Sequence, residues 1–289
     1  MKTIGIIGLG IIGEAWARHY EAAGVLAGAW NRTPKPGFAR WKSGPAEVAV
    51  AADVIQIVVA DPPAVRDVLE RALPALAAGR VVVQSSTIDP DSSLEFQRLV
   101  EGTGARYLEA PFTGSKPAAE QRQTVFYLGG DRDLAAALDP LLGLVSSVRL
   151  HIGSAAQAAS LKLAMNLNLA AQMEALADSL TLARRAGIPD DIFFQALSRN
   201  AGNSGLVKLK EPKLRAGDFS AQFSVKHMLK DMRLASGMAA AGGLPALQGI
   251  CSRLAEAARE GHADEDFCAL IRLFGPAAVT ESHTSQSIS

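Results

Sequence analysis

Cysteine is nearly absent from this chain of 289 residues, with two in all. Cys251 and Cys268 fit neither a zinc spacing nor a disulfide framework, and both fall in helical-looking sequence, so they read as packing residues. Net charge is absent as well, since 29 Lys plus Arg balance 29 Asp plus Glu. With no long-range field to draw it onto a phosphate backbone, the protein is not expected to partner nucleic acid. Long apolar runs are missing, the stretch from Val54 to Ala60 being far shorter than a membrane span. Met-Lys-Thr-Ile runs straight into a strand, with no signal segment before it. A cytoplasmic protein with no membrane partner is the expectation. The five histidines, His19, His151, His227, His262 and His283, show no ligand spacing, so no metal site is expected.

What is present is ordinary globular material, 48% apolar and 20% charged, at about twice the usual domain length, which predicts two domains. Strand-like runs recur at Thr3 to Ile7, up to Trp30, Val54 to Ala60, Val81 to Val83, Ala105 to Leu108, Val125 to Leu128 and Val148 to Leu150. Helices fit between them, with Gly24 and Gly79 as stops. Near-continuous apolar strands alternating with helices mean a mostly parallel sheet covered on both faces, so residues 1–154 read as an α/β Rossmann-type domain.

From Ala155 the pattern changes to a single long helix over 155–186, with Leu161, Met165, Leu169 and Met173 every four residues and a stop at Gly187-Ile188-Pro189. Helical stretches around Asp190 to Ser198, Ser224 to Gly237, Leu247 to Glu260 and Asp266 to Phe274 complete an all-helical C-terminal domain over 187–275. The polar tail, 276–289, is expected to fray.

The first strand runs directly into Gly8-Leu9-Gly10-Ile11-Ile12-Gly13, which opens a helix. A GxGxxG pattern by itself is weak, but in this position it is a dinucleotide-binding fingerprint. Gly8 allows the tight turn, Gly10 lets the backbone approach a pyrophosphate, and Gly13 lets helix and strand pack closely. Unpaired N–H groups at the helix start then face the phosphates. After the second strand, an NAD enzyme usually places a carboxylate for the ribose hydroxyls. Here the segment is Trp30-Asn31-Arg32-Thr33. The Arg32 guanidinium pairs with a 2′-phosphate, and the Asn31 and Thr33 side chains offer hydrogen bonds, so NADP(H) is the expected cofactor.

Lys162 and Asn166 lie four apart, on one helix face amid apolar residues. An ammonium donates to a carbonyl oxygen as hydride arrives, and an amide holds substrate and lysine in line. This pair is the expected catalytic machinery, beside a cleft between the two domains.

These segments resemble the β-hydroxyacid dehydrogenase family, and more narrowly its glyoxylate/succinic semialdehyde reductases, from about residue 3 to residue 274. The family fold is 6-phosphogluconate dehydrogenase-like. Ser85-Ser86-Thr87 stands where the family places a nicotinamide-ribose contact, which falls on Thr87. Glu109-Ala110-Pro111-Phe112-Thr113-Gly114-Ser115 is similar to its substrate-binding segment, usually Asp-Ala-Pro-Val-Ser-Gly-Gly. The continuation Lys116-Pro117-Ala118-Ala119-Glu120 carries the flavour of the narrower group. By this resemblance the Thr113 hydroxyl and the Gly114 and Ser115 N–H groups hold a substrate carboxylate, and a glycine-containing turn has donors to offer an anion. Lys162 matches the catalytic lysine and Asn166 its partner. Ala156 and Ala158 replace usual glycines, which predicts an earlier helix start or a less close approach to the nicotinamide. In Phe219 to Ala235, Lys230 matches a cofactor contact, and Phe223 and Asp231 match residues lining the substrate site.

The resemblance implies an NADP-dependent oxidoreductase acting on CH–OH groups, reducing short aldehyde acids such as glyoxylate and succinic semialdehyde, as a homodimer or homotetramer. Alternatives of the same fold are oxidation of 3-hydroxyisobutyrate or another 3-hydroxy acid, and imine reduction. A non-catalytic NADP-binding sensor is the alternative from another class.

Overall fold

The computed structural model describes residues 2–238 and 242–275. The expected frayed tail, 276–289, lies outside the described residues. The described residues form two compact units, 2–165 with 233–238 and 242, and 166–232 with 243–275.

The first unit alternates β1 (Ile4–Ile7), α1 (Ile11–Ala22), β2 (Leu26–Trp30), α2 (Pro45–Ala51), β3 (Val54–Ile57), α3 (Pro62–Ala72), β4 (Val81–Gln84), α4 (Pro90–Glu101) and β5 (Arg106–Glu109). It continues with β6 (Phe112–Thr113), α5 (Lys116–Glu120), β7 (Thr124–Gly130), α6 (Arg132–Leu142) and β8 (Ser146–Gly153). All eight strands join one sheet in the order β2-β1-β3-β4-β5-β7-β6, with β8 paired to β7. Pairing is parallel from β2 through β5, as the alternation of strand and helix requires. β7 runs antiparallel to β5 and β6 and parallel to β8.

Every residue of β1, β3 and β4 is buried, because helices cover both faces of the sheet. Trp16, Tyr20 and Phe126 fill one side and Ile55, Leu69 and Phe96 the other. Three of the helices that follow strands begin on an aspartate: the carboxylates of Asp61, Asp89 and Asp131 accept from the N–H groups of Ala64, Ser92 and Leu134 and start α3, α4 and α6. The helix after β1 differs. Its N-cap is Gly10, with no side-chain hydrogen bond to the first turn.

α7 (Ala155–Arg185) is the expected long helix, 31 residues in length. Its start is fixed by a reciprocal cap, since the Gln157 N–H donates to the Ser154 hydroxyl at 3.3 Å and the Ser154 N–H to Gln157 Oε1 at 2.8 Å. The Ala158 methyl is buried, and a Cβ at Gly129 of β7 would lie 2.7 Å from it. The alanine at the usual glycine position therefore faces a glycine on the sheet.

Beyond α7 the described residues are helical: α8 (Asp190–Ser198), α9 (Gly205–Ala216), α10 (Val225–Gly237) and α11 (Pro245–Ala257), with a 3-10 helix over Phe267–Phe274. α9 was not anticipated. Pro212 inside it and four cationic side chains, Lys208, Lys210, Lys213 and Arg215, mask its apolar stripe. Its ends follow ordinary rules: the Ser204 hydroxyl accepts from Val207 N–H, and Gly217 closes it in the left-handed region at φ +63°.

Candidate active site

The three fingerprint glycines have separate physical reasons. Gly8 has φ +106°, and a Cβ there would lie 2.1 Å from the Val58 carbonyl oxygen. A Cβ on Gly13 would lie 1.9 Å from the Gly8 carbonyl oxygen. Both are required by the protein's own backbone. Gly10 is not: its φ of −76° suits any residue, and a Cβ there would meet nothing within 4 Å. Open space ahead of Gly10, beside an uncapped helix start whose first intrahelical bond is Glu14 N–H to Gly10 O, fits a phosphate cradle. Gly10→Ala is expected to keep the wild-type melting temperature and lose dinucleotide affinity, whereas Gly13→Ala should lose about 2 kcal/mol or more of stability. Thermal unfolding with NADPH titration reads both, and a Gly10→Ala protein that binds normally would remove the cradle reading.

Two side chains that follow β2 brace this turn. Asn31 Oδ1 accepts from Leu9 N–H at 2.9 Å, and Asn31 Nδ2 donates to Thr33 O at 3.0 Å. The amide expected to meet a 2′-phosphate is thus engaged within the protein at both ends. Lys35, which no sequence argument singled out, donates to Leu9 O at 3.0 Å and to Glu14 Oε2 at 2.6 Å. The hydrogen bonds from Lys35 and then Arg18 hold the Glu14 carboxyl below its ordinary value. Arg32 and Thr33 are exposed.

At the carboxyl ends of β4 and β5 lies a buried polar network. Glu109 is fully buried; its Oε1 accepts from Gln84 Nε2 at 2.8 Å, and its Oε2 accepts from the Ser93 and Tyr107 hydroxyls, each at 2.6 Å. Burial pushes its carboxyl from about 4.5 up to about 7; the Ser93, Tyr107 and Gln84 hydrogen bonds offset part of the rise and Asp89 adds to it. Because the folded state holds this proton more tightly, it binds more protons than the unfolded chain between those values. Stability therefore falls as pH rises through that window, and the loss is complete above about 7. Glu109→Gln is expected to gain up to about 3 kcal/mol at pH 8 and almost nothing at pH 4. Urea unfolding at both pH values measures this, and equal gains would exclude the carboxyl as the source. Thr87, two residues past the buried Ser85, is half-buried.

The turn at 113–115 follows β6. Gly114 sits at φ +131°, with Thr124 and the Ala118 methyl close to where a Cβ would be, so a side chain there is strained. Burial raises the Tyr127 phenol above its ordinary value, and the neighbouring Thr113 side chain brings it partly back. Beside the turn, the Phe112 ring stands 5.8 Å from Lys162 Nζ and packs edge-on against Trp16 at 4.7 Å. Lys162 is 9% exposed, so its ammonium sits against an aromatic face with little water.

In the second unit three expected site residues meet. Asn166 Nδ2 donates to Asp231 Oδ2 at 2.6 Å, and Lys230 Nζ lies 2.8 Å from Asp231 Oδ1. Asn166 and Asp231 are 2% and 1% exposed. Phe223 is half-buried, and its loop is held by an aspartate the sequence reading gave no role. Asp266 accepts from the N–H groups of Gln222, Phe223 and Cys268 and from Lys210 Nζ at 2.7 Å. Phe267 N–H donates to Phe223 O at 2.9 Å. Among the described residues no group of three or more His, Cys, Asp or Glu is placed to hold a metal ion, and no helix is long and apolar enough to cross a membrane.

Residues 3–153 match the family described as the NAD-binding domain of 6-phosphogluconate dehydrogenase. Residues 156–274 match the one described as NAD-binding of NADP-dependent 3-hydroxyisobutyrate dehydrogenase. The chain is 31% identical to glyoxylate/succinic semialdehyde reductase 2, chloroplastic, of Arabidopsis thaliana, over 97% of this chain and 81% of that protein. It is 28% identical to glyoxylate/succinic semialdehyde reductase 1 of the same plant, over 93% and 96%. A solved structure of Mycobacterium tuberculosis 3-hydroxyisobutyrate dehydrogenase with L-serine matches with a TM-score of 0.87 at 26% identity, over 96% of this chain and 100% of that one.

Proposed function

The chain belongs to the β-hydroxyacid dehydrogenase family, and we propose that it uses NADPH to reduce a short aldehyde acid, glyoxylate or succinic semialdehyde, to the hydroxy acid. It is an NAD(P)-dependent oxidoreductase acting on CH–OH groups, with a Rossmann-type domain followed by a helical one in the 6-phosphogluconate dehydrogenase-like manner. The observation that carries the proposal is Lys162, a nearly buried ammonium facing Phe112, one helical turn before Asn166.

The dinucleotide is held by the turn Gly8, Leu9, Gly10, Ile11, Ile12, Gly13, with Thr87 and Lys230 as further contacts. Arg32 and Thr33 select the 2′-phosphate, and Asn31 shapes the turn from behind. When bound, the reduced nicotinamide supplies hydride. Lys162 donates a hydrogen bond to the carbonyl oxygen, stabilises the negative charge that develops there, and hands that oxygen its proton. Asp231 takes one amide N–H of Asn166 and so fixes the direction of the amide that orients the substrate. The Thr113 hydroxyl and the Gly114 and Ser115 N–H groups hold the carboxylate, with Phe223 lining the site. The names of the two plant relatives support the substrate class.

The test is initial-rate kinetics with glyoxylate, succinic semialdehyde and methylmalonate semialdehyde in parallel, each with NADPH and NADH. The largest kcat/KM is expected for one of the first two with NADPH. Preference for the branched methylmalonate semialdehyde would move the reading to 3-hydroxyisobutyrate oxidation, which the match to the mycobacterial enzyme favours as the second reading. A cytoplasmic homodimer or homotetramer belongs to the same proposal, and light scattering on the purified protein checks the copy number.

A further inference from the structure

Glu109 and Gln84 are both fully buried, so neither reaches a ligand, and the three hydrogen-bond partners of Glu109 are all neutral. An uncompensated carboxylate in such a place costs more than an amide or an apolar side chain would. Its geometry gives it a task. The Gln84 amide folds back on its own chain: Oε1 accepts from Ser86 N–H at 2.6 Å, and Nε2 donates to Ser86 O at 2.9 Å. The second N–H of that same Nε2 goes to Glu109 Oε1. Glu109 thus adds a third bond to the orientation that the two Ser86 bonds define, and anchors the amide to the neighbouring strand. The Ser86 hydroxyl in turn accepts from Val59 N–H at 2.8 Å, tying the turn after β4 to the residues after β3. Both lie at the carboxyl ends of parallel strands, beside the β1–β3 reversal, where ligands of open α/β sheets bind.

We propose that Glu109 is a positioning residue for the dinucleotide, acting through the Gln84 amide to fix the Ser86 peptide and the turn at 85–87. The inference rests on the nicotinamide-dinucleotide reading of the first unit. The full chain is titrated with NADPH, following cofactor fluorescence, as wild type, Glu109→Leu, Gln84→Met, the double variant and Glu109→Gln, with urea midpoints measured alongside. Glu109→Leu and Gln84→Met are each expected to weaken NADPH binding about ten-fold, and the double variant to be no weaker than the worse single one. Glu109→Gln offers the same acceptor oxygen to Gln84 and is expected to recover most of the affinity whatever its urea midpoint.

Losses that multiply in the double variant, or a Glu109→Gln protein as weak as Glu109→Leu, would overturn the route through Gln84. Folded single variants that bind as tightly as wild type would overturn the proposal outright. If Glu109→Leu does not fold, Glu109→Ala takes its place, and Gln84→Met still decides whether the Ser86 peptide matters to binding. A wild-type protein that binds neither NADPH nor NADH would overturn the functional reading together with this one. Normal wild-type binding with unaffected variants overturns this one alone.

Discussion

Lys162→Met is expected to lower kcat/KM for aldehyde reduction by about three orders of magnitude while the protein still folds and binds NADPH. The length of the side chain is kept and only the ammonium is lost. In the wild type that ammonium lies against the Phe112 ring with 9% of the residue exposed, so a charge developing on a substrate oxygen there has little water to stabilise it, and the lysine contributes more than it would in solution. Removing it takes away both the hydrogen bond to the developing oxyanion and the proton that completes the alcohol. The stability cost is small by comparison, because a buried cation is exchanged for an apolar chain of similar volume, with loss of a cation–π contact of about 0.5–1 kcal/mol. Stopped-flow and steady-state NADPH oxidation, with cofactor titration as the control, read the effect. A variant keeping more than about a tenth of wild-type kcat/KM would exclude Lys162 as the proton donor.

The second large effect is on stability. Lys210→Met is expected to destabilise the protein by about 3–5 kcal/mol. Lys210 and Asp266 are 1% and 0% exposed and 2.7 Å apart, and the ammonium also stands 4.7 Å from the centre of the Phe267 ring. Burial by itself would raise the Asp266 carboxyl; the Lys210 charge and the backbone N–H donors outweigh it and keep the carboxyl below its ordinary value. Taking away the lysine leaves a buried carboxylate with no cation, the costliest way to break such a pair. Truncating Asp266 as well does not restore the protein, since the Gln222, Phe223 and Cys268 N–H groups then lose their acceptor. Urea denaturation of the single and double variants measures this, and a Lys210→Met protein within about 1 kcal/mol of wild type would show that the pair contributes little.

Much of this molecule is legible in its sequence. The strand runs, the glycine turn and the long helix from Ala155 are local patterns, and local patterns follow from periodicity, glycine conformation and capping. α9 escaped because Pro212 and its lysines contradict the pattern of an amphipathic helix, yet Lys210 and Lys213 are buried there by acidic partners distant in sequence or just past the helix end. Asn31, which the sequence reading aims at a 2′-phosphate, also braces the glycine turn: its Oδ1 accepts from Leu9 N–H and its Nδ2 donates to Thr33 O, and neither contact follows from local pattern.

By itself the sequence determined the kind of fold, the place of the glycine turn after β1, and the lysine and asparagine that share one helix face. Each of these is written in residues within a turn or two of one another. Only the tertiary structure decided that Asp231, 65 residues away, takes the amide of Asn166. It alone decided that Asp266 holds the Phe223 loop and that Glu109 reaches Gln84 across two neighbouring strands. Those pairings depend on which polar groups are buried together, and a buried group takes its partner from whatever the packing brings within about 3 Å, at any distance along the chain.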